Sequence, residues 1–207
     1  MADRLSAFRV ALLEWYDSNK RDLPWRASSD TYSVWISETM LQQTTVTAVV
    51  PYYERWMERF PTVGSLATAS EEGVLTLWQG LGYYRRARNL HRAARTVVAE
   101  GWPSTYEGWL ALPGVGAYTA GAVCSIALGL ETAAVDGNVA RVYSRIHACS
   151  ETDTKKMARK WAERLAIGER PGDVAQALME LGATVCTPRN PACGRCFARA
   201  SCKARAS

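Results

Sequence analysis

Apolar positions three or four residues apart dominate this chain. In "RLSAFRVALLEWYDS", Leu5, Phe8, Leu12 and Trp15 fall on one helical face, and "NKRDLPW" ends that helix. Asp30 stands where it would cap a helix that starts near Thr31 and runs through "YSVWISETMLQQT". Another helix is predicted from about Thr45 through "VVPYYERWMERF", with Pro51 as a kink or boundary; "PTVGSLATAS" reads as a loop with a short turn. "EEGVLTLWQGLGYYRRARNLHRAARTVVAEG" predicts two helices broken at "QGLGYY". "STYEGWLAL" predicts a short helix, Ala117–Leu130 a helix of small residues, and Asn138–Ala148 the start of another. "TKKMARKWAERLAI" and "PGDVAQALMELGATVC" supply the last two. "VVPYY" and "TAAV" could pass for short strands, but neither has a pairing partner nearby. The predicted class is all-α, without internal repeats, low-complexity tracts or linkers.

Composition and charge narrow the class. Of 207 residues, 48% are hydrophobic and 22% charged, a globular balance in a chain long enough for one large domain or two small lobes. A net charge of +5 favours a polyanionic partner. The N-terminal "MADRLSAFRVALLEWYDSNKRDLPWR" is interrupted by charge every few residues, so it lacks the apolar core of a signal peptide. No apolar run approaches membrane-spanning length. A cytoplasmic protein without a membrane partner is expected, nucleoid-associated if bacterial. In that compartment the six cysteines are not expected to pair.

Four cysteines crowd the end of the chain, Cys186, Cys193, Cys196 and Cys202, with gaps of six, two and five residues in "CTPRNPACGRCFARASC". Thiolates this close, in a loop stiffened by Pro188 and Pro191, can converge on one centre. Structural zinc tetrads usually come as two short pairs, and only one CxxC pair is present. The spacing therefore favours a cubane iron–sulfur cluster over zinc, with disulfides last. Cys124 and Cys149 stand apart and read as buried small hydrophobes.

The stretch "LPGVG", Leu112 to Gly116, leads into the small-residue helix. Its glycines permit a tight turn and close backbone approach, and the helix start offers N–H donors at its positive end. Such a hairpin cradles phosphate without reading sequence, or it is an ordinary corner between helices. "YYRRARNLHRAAR", with Arg85, Arg86, Arg88, Arg92 and Arg95, favours backbone binding, although a charge run also serves as a solvated face. An acid, Asp136, follows Gly116 by twenty positions.

Hairpin, acid and cysteine loop, in this order, resemble the helix-hairpin-helix DNA glycosylases of the endonuclease III superfamily over nearly the whole chain. Within that group, "SETMLQQT" (Ser37–Thr44), "GLGYYRRARNLH" (Gly80–His91), "VDGNVARV" (Val135–Val142) and "ELGATVCTP" (Glu180–Pro188) are similar to MutY-type adenine glycosylases. The resemblance implies a six-helix lobe with the hairpin at residues 27–133, and a second helical lobe at residues 1–26 with 134–207. The second lobe would hold a [4Fe-4S] cluster on Cys186, Cys193, Cys196 and Cys202. A monomeric, monofunctional enzyme of base excision repair is implied, hydrolysing the N-glycosidic bond of adenine opposite 8-oxoguanine or guanine in double-stranded DNA. The oxoguanine-recognition domain that usually follows is expected to be absent, and discrimination of the opposing base to be weakened.

Cleaving an N-glycosidic bond needs a neutral leaving base and a sugar cation that survives, and two carboxylates in different environments meet both needs. Glu38 is the candidate acid toward adenine N7. On a helix it shares a face with Val34, Trp35, Leu41 and Gln42, whose largely apolar surroundings would raise its pKa; without the matching motif it reads as an exposed helix glutamate. Asp136 would stabilise the oxocarbenium ion, and it also reads as a helix cap whose N–H donors keep it ionised. Asn138 would orient that acid or the water. Tyr118 stands two residues after Gly116, where bifunctional lyases carry a Schiff-base lysine, which implies a glycosylase without lyase activity.

Of Gln42 and Gln43, the resemblance implies that one fills space in the opened duplex. Tyr83 resembles an aromatic wedge pushed between base pairs, against a core-packing alternative that is stronger for Tyr84. Trp25, Arg26, Leu41 and Gln176 match positions around the adenine pocket, while Leu112, Gly114, Gly116 and Arg86 match DNA contacts. Arg189, Arg195 and Arg199 on the cysteine loop would face phosphates. The rival readings are thymine or uracil excision from mismatches, a non-catalytic DNA-binding module with a structural or redox-sensing cluster, and a bifunctional lyase.

Overall fold

A computed structural model describes residues 2–149 and 154–206, and no strand occurs among the described residues. In chain order the helices are α1 (Ala2–Asn19), α2 (Thr31–Met40), α3 (Val46–Arg59), α4 (Val63–Thr68), α5 (Glu71–Trp78) and α6 (Arg85–Glu100). They continue with α7 (Tyr106–Ala111), α8 (Ala117–Ile126), α9 (Gly137–His147), α10 (Thr154–Ala166), α11 (Pro171–Thr184) and α12 (Lys203–Ala206). The chain divides into two compact units, Asp22–Val123 and the combination of Met1–Arg21 with Cys124–Ser207.

The Asp22–Val123 unit is organised by α2, in which every residue from Tyr32 to Met40 is buried. Its polar members are satisfied locally: the Ser37 hydroxyl donates to the Val34 carbonyl and the Thr39 hydroxyl to that of Trp35. Asp30 caps the helix, accepting from the Ser33 amide at 2.8 Å. Around α2 the core is aromatic. Trp35, Trp56, Trp78 and Trp109 are essentially inaccessible, each removing about 150–250 Å² from water, roughly 4–6 kcal/mol at about 25 cal/mol per Å². On α6, Ala87, Leu90, His91, Ala94 and Val97 face inward, and the small residues among them let α4 and α5 pack closely.

In the other unit, α11 and α10 pack on α9, and α1 packs on α11. Leu12, Tyr16, Val139, Val142, Leu165, Leu178 and Leu181 form the centre of its core. Glu180 on α11 is 1% exposed, and Arg21 grips it through Nε to Oε1 at 2.6 Å and Nη2 to Oε2 at 3.0 Å.

Several boundaries differ from the sequence reading. The "PTVGSLATAS" segment holds a real helix, α4, started by a reciprocal capping box between Thr62 and Ser65. Pro51 lies in the second turn of α3 without ending it, at the cost of one ladder bond. Helix α2 ends at Met40 rather than running through Thr44, since Gln43 adopts left-handed backbone with φ of 59°. Helix α8 ends at Ile126 rather than Leu130, whose amide turns back to the Cys124 carbonyl. "VVPYY" lies inside α3, and "TAAV" is irregular.

Candidate active site

Glu38 is 5% exposed within the Asp22–Val123 unit. Tyr118, in the first turn of α8, donates its hydroxyl to Glu38 Oε2 at 2.5 Å. The tyrosine is carried there by the turn between α7 and α8. Gly114 in that turn has φ of 78°, and a Cβ there would lie 2.5 Å from that of Asn89, so only glycine satisfies both constraints. Gly116 differs: its backbone is not left-handed, and nothing lies within 4 Å of where its Cβ would be. Leu112 is 6% exposed and anchors the turn, its carbonyl accepting from the Val115 amide.

A cleft of about 480 Å³ runs along the same unit, lined by Trp35, Gln42, Gln43, Tyr83, Arg86 and Gly114 among others. The two glutamines are not equivalent. Gln42 is half-buried and donates to the Thr119 hydroxyl at 3.0 Å, whereas Gln43 is exposed. Tyr83 also has positive φ, 50°, and is 61% exposed, a strained backbone holding a large ring in solvent. Tyr84 is 39% exposed, so the core-packing alternative fails for both rings. Arg86, expected among the DNA contacts, turns its guanidinium inward onto backbone carbonyls on both sides of the cleft. Trp25 is 7% exposed in a 3₁₀ turn (Pro24–Arg26), edge-on to Tyr53, with Arg26 half-buried beside it. Leu41, half-buried, follows the last turn of α2.

In the other unit Asp136 caps α9. Its Oδ1 accepts from the Val139 amide at 2.8 Å and its Oδ2 from Asn138 Nδ2 at 2.7 Å. Arg141 in turn donates to Asn138 Oδ1 at 2.6 Å, to the Gly182 carbonyl at 2.8 Å and to that of Cys186 at 2.8 Å. The acid, its amide neighbour and the start of the cysteine loop thus share one hydrogen-bonded chain. Gln176 is half-buried on α11 of the same unit.

Cys186, Cys193, Cys196 and Cys202 all line one cavity of about 190 Å³, walled by Val142, Ile146, Leu181 and Val185. Burial pushes the Cys196 thiol above its ordinary pKa, and Cys186, Cys202 and Cys193 add to the rise against a hydrogen bond from the Ala198 backbone. No group of three or more potential ligands among the described residues is close enough to close on a single metal ion. Arg145 braces the loop, donating to the carbonyls of Cys186, Thr187 and Pro188 and to Cys186 Sγ at 3.4 Å. Arg189, Arg195 and Arg199 are exposed.

Thr119, Asn89, Arg141 and Arg145 were not singled out from the sequence. For the two arginines a signal was available: Arg141 stands three residues after Asn138, and Arg145 four further on, one face of α9.

A family model described as "HhH-GPD superfamily base excision DNA repair protein" matches residues 36–166. Among curated proteins, the chain is 49% identical to the adenine DNA glycosylase of Homo sapiens, over 97% of this chain and 40% of that protein. It is 43% identical to that of Arabidopsis thaliana, over 95% and 36%. The chain therefore spans about two fifths of the length of these relatives. Among solved structures, a thermostable thymine-DNA glycosylase superposes with a TM-score of 0.89 at 28% identity, covering 99% of this chain and 97% of that one. An endonuclease III–DNA complex superposes with a TM-score of 0.83 at 20% identity, over 100% and 97%, which speaks for the fold alone.

Proposed function

Because the chain belongs to the HhH-GPD superfamily of base excision DNA repair proteins, we propose that it is a monofunctional DNA glycosylase. It hydrolyses the N-glycosidic bond of adenine mispaired with 8-oxoguanine or guanine in double-stranded DNA, acting as a monomer. The observation that carries this reading is the enclosed Glu38 with the Tyr118 hydroxyl on its carboxyl oxygen. An enclosed acid suits proton donation to a base, and a phenol cannot form the imine of lyase chemistry.

Glu38, as the neutral acid, gives its proton to adenine N7. The C1′–N9 bond then breaks, its electron pair leaves with the base, and adenine departs neutral. The carboxylate of Asp136, oriented by Asn138, stabilises the cation left at C1′. Water adds at C1′ and passes a proton to the Glu38 carboxylate, which restores the acid and the charge balance. Neither step needs sequence readout, so grip falls to the phosphate backbone through the turn at Gly114–Gly116 and the start of α8. Gln43 and Tyr83 enter the opened duplex from one cleft, Gln42 being engaged with Thr119. Trp25, Arg26, Leu41 and Gln176 belong to adenine recognition.

The four terminal cysteines line one cavity and together offer the four thiolates that a [4Fe-4S] cluster needs. Bound there, the cluster supplies a rigid anchor for the loop that carries Arg189, Arg195 and Arg199.

The similarity to a thymine-DNA glycosylase structure supports a second reading, thymine excision from mismatches. Single-turnover assays on duplexes with labelled adenine, thymine or uracil opposite guanine or 8-oxoguanine separate the two. Adenine release that is lost in Glu38→Gln and Asp136→Asn, with DNA binding retained, is the expected result. Thymine release without adenine release overturns it.

A further inference from the structure

Two residues in the cleft hold left-handed backbone without being glycine, Gln43 at φ of 59° and Tyr83 at φ of 50°. Each is itself exposed to solvent and holds a backbone conformation that is costly for a residue with a side chain. Both turns end on one guanidinium. Arg86 Nη1 donates to the carbonyls of Thr39 and Met40 at 3.0 Å and of Gln42 at 2.6 Å. Arg86 Nη2 reaches the Thr44 hydroxyl at 3.3 Å, the Leu81 carbonyl at 3.2 Å and that of Gly82 at 3.3 Å. The acceptors thus flank Gln43 on both sides and lead directly into Tyr83. The guanidinium carbon also lies 5.2 Å from the Trp78 ring centroid and 5.6 Å from that of Tyr83, two cation–π contacts that add to the grip.

We infer that Arg86 is a positioning residue that locks the Gln43 and Tyr83 turns into one preformed wedge. The inference rests on the reading that these two side chains enter the duplex. A planar cation with donors along two edges spans both turns at once; an ammonium, a point charge with tetrahedral donors, reaches one of them. With the lock in place the strained conformations exist before DNA arrives, and the opening of the duplex need not also order the protein. Arg86 touches no phosphate in this role, and its contribution is confined to substrates whose target base is still stacked and paired.

The test compares Arg86→Lys with wild type in single-turnover adenine excision on two substrates. In one the adenine is paired with guanine; in the other it lies in a single-stranded loop, with no partner to be parted from. The expected slowing is about 10- to 100-fold on the paired substrate, the size of effect that misplacement by about an ångström produces, and under about twofold on the looped one. Equal slowing on both substrates, or none on either, overturns the inference. A wild type that releases no adenine from either substrate defeats the functional reading instead. An arm without any variant keeps the lock testable even then, or if the lysine protein fails to fold. In wild-type native-state hydrogen exchange, the amides of Thr44 and Leu81, bonded to the Leu41 and Trp78 carbonyls, should open together with one denaturant dependence. Independent opening of the two turns sinks the lock.

Discussion

Gly182→Ala offers the sharpest perturbation of the Asp136 network. Helix α11 approaches α9 so closely at Gly182 that a Cβ there would lie 2.5 Å from Asn138 Cβ, 2.9 Å from its Cα and 3.0 Å from its carbonyl carbon. Carbon atoms settle at about 3.5–4.0 Å, so the two helices must part by about 1 Å. Two of the three obstructing atoms are backbone, which no rotamer change moves aside. Overpacking of this kind costs about 1–3 kcal/mol. The displaced residue is the one whose amide holds Asp136 Oδ2, and whose Oδ1 is held by Arg141. A shift of that size in a charge-stabilising group is expected to slow excision by about 10- to 100-fold. Thermal melting reads the first effect and single-turnover adenine release the second, with binding to an abasic-site duplex as the check that DNA is still held. Gly64→Ala is the control, because its Cβ would meet only the Thr62 hydroxyl, at 3.7 Å; it should leave the rate unchanged and not lower the melting temperature. If Gly182→Ala melts lower yet cleaves at the wild-type rate, the Asn138 contact is not what orients the aspartate.

Three further outcomes are expected. Arg21→Met leaves the Glu180 carboxylate buried without its bidentate partner, and chemical denaturation should show a loss of about 2–4 kcal/mol, below the full penalty of a buried pair because Arg21 is 38% exposed; an unchanged midpoint contradicts this. Burial, reinforced by Arg95, lowers the pKa of His91 below its ordinary 6.5 against opposing backbone hydrogen bonds to Ala67 and Ala69. The unfolded chain therefore takes up a proton first as pH falls: stability from this group is complete above about 6.5 and declines below it, so melting temperature should drop from pH 7 to pH 5, and less steeply in His91→Gln. Purified protein should be brown, with iron and sulfide in near-equal amounts. Cys196→Ser should bleach the colour and lower the melting temperature, whereas colourless protein containing zinc would refute the cluster.

Local chemistry was readable along the chain, and so were most of the elements. Asp30 and Asp136 are caps because a carboxylate three residues before an amide needs nothing beyond its own turn. The break between α5 and α6 and the small-residue helix after Gly116 are legible for the same reason. Helix α4 was not, because its capping box closes with Ser65 instead of the glutamate that usually signals one. The cysteine spacing predicts convergence on one centre, and all four cysteines line one cavity.

What the fold alone decided are distinctions among chemically equal residues. Gln42 and Gln43 are adjacent and identical in type, yet one is engaged with Thr119 and the other is thrown into solvent by a left-handed backbone. Arg86 shares a basic run with Arg85 and Arg88, and nothing in that run marks it as the member that turns inward. Periodicity records whether a position meets apolar or polar surroundings. It holds no record of which carbonyl arrives from some forty residues away, and that arrival depends on how separate helices pack.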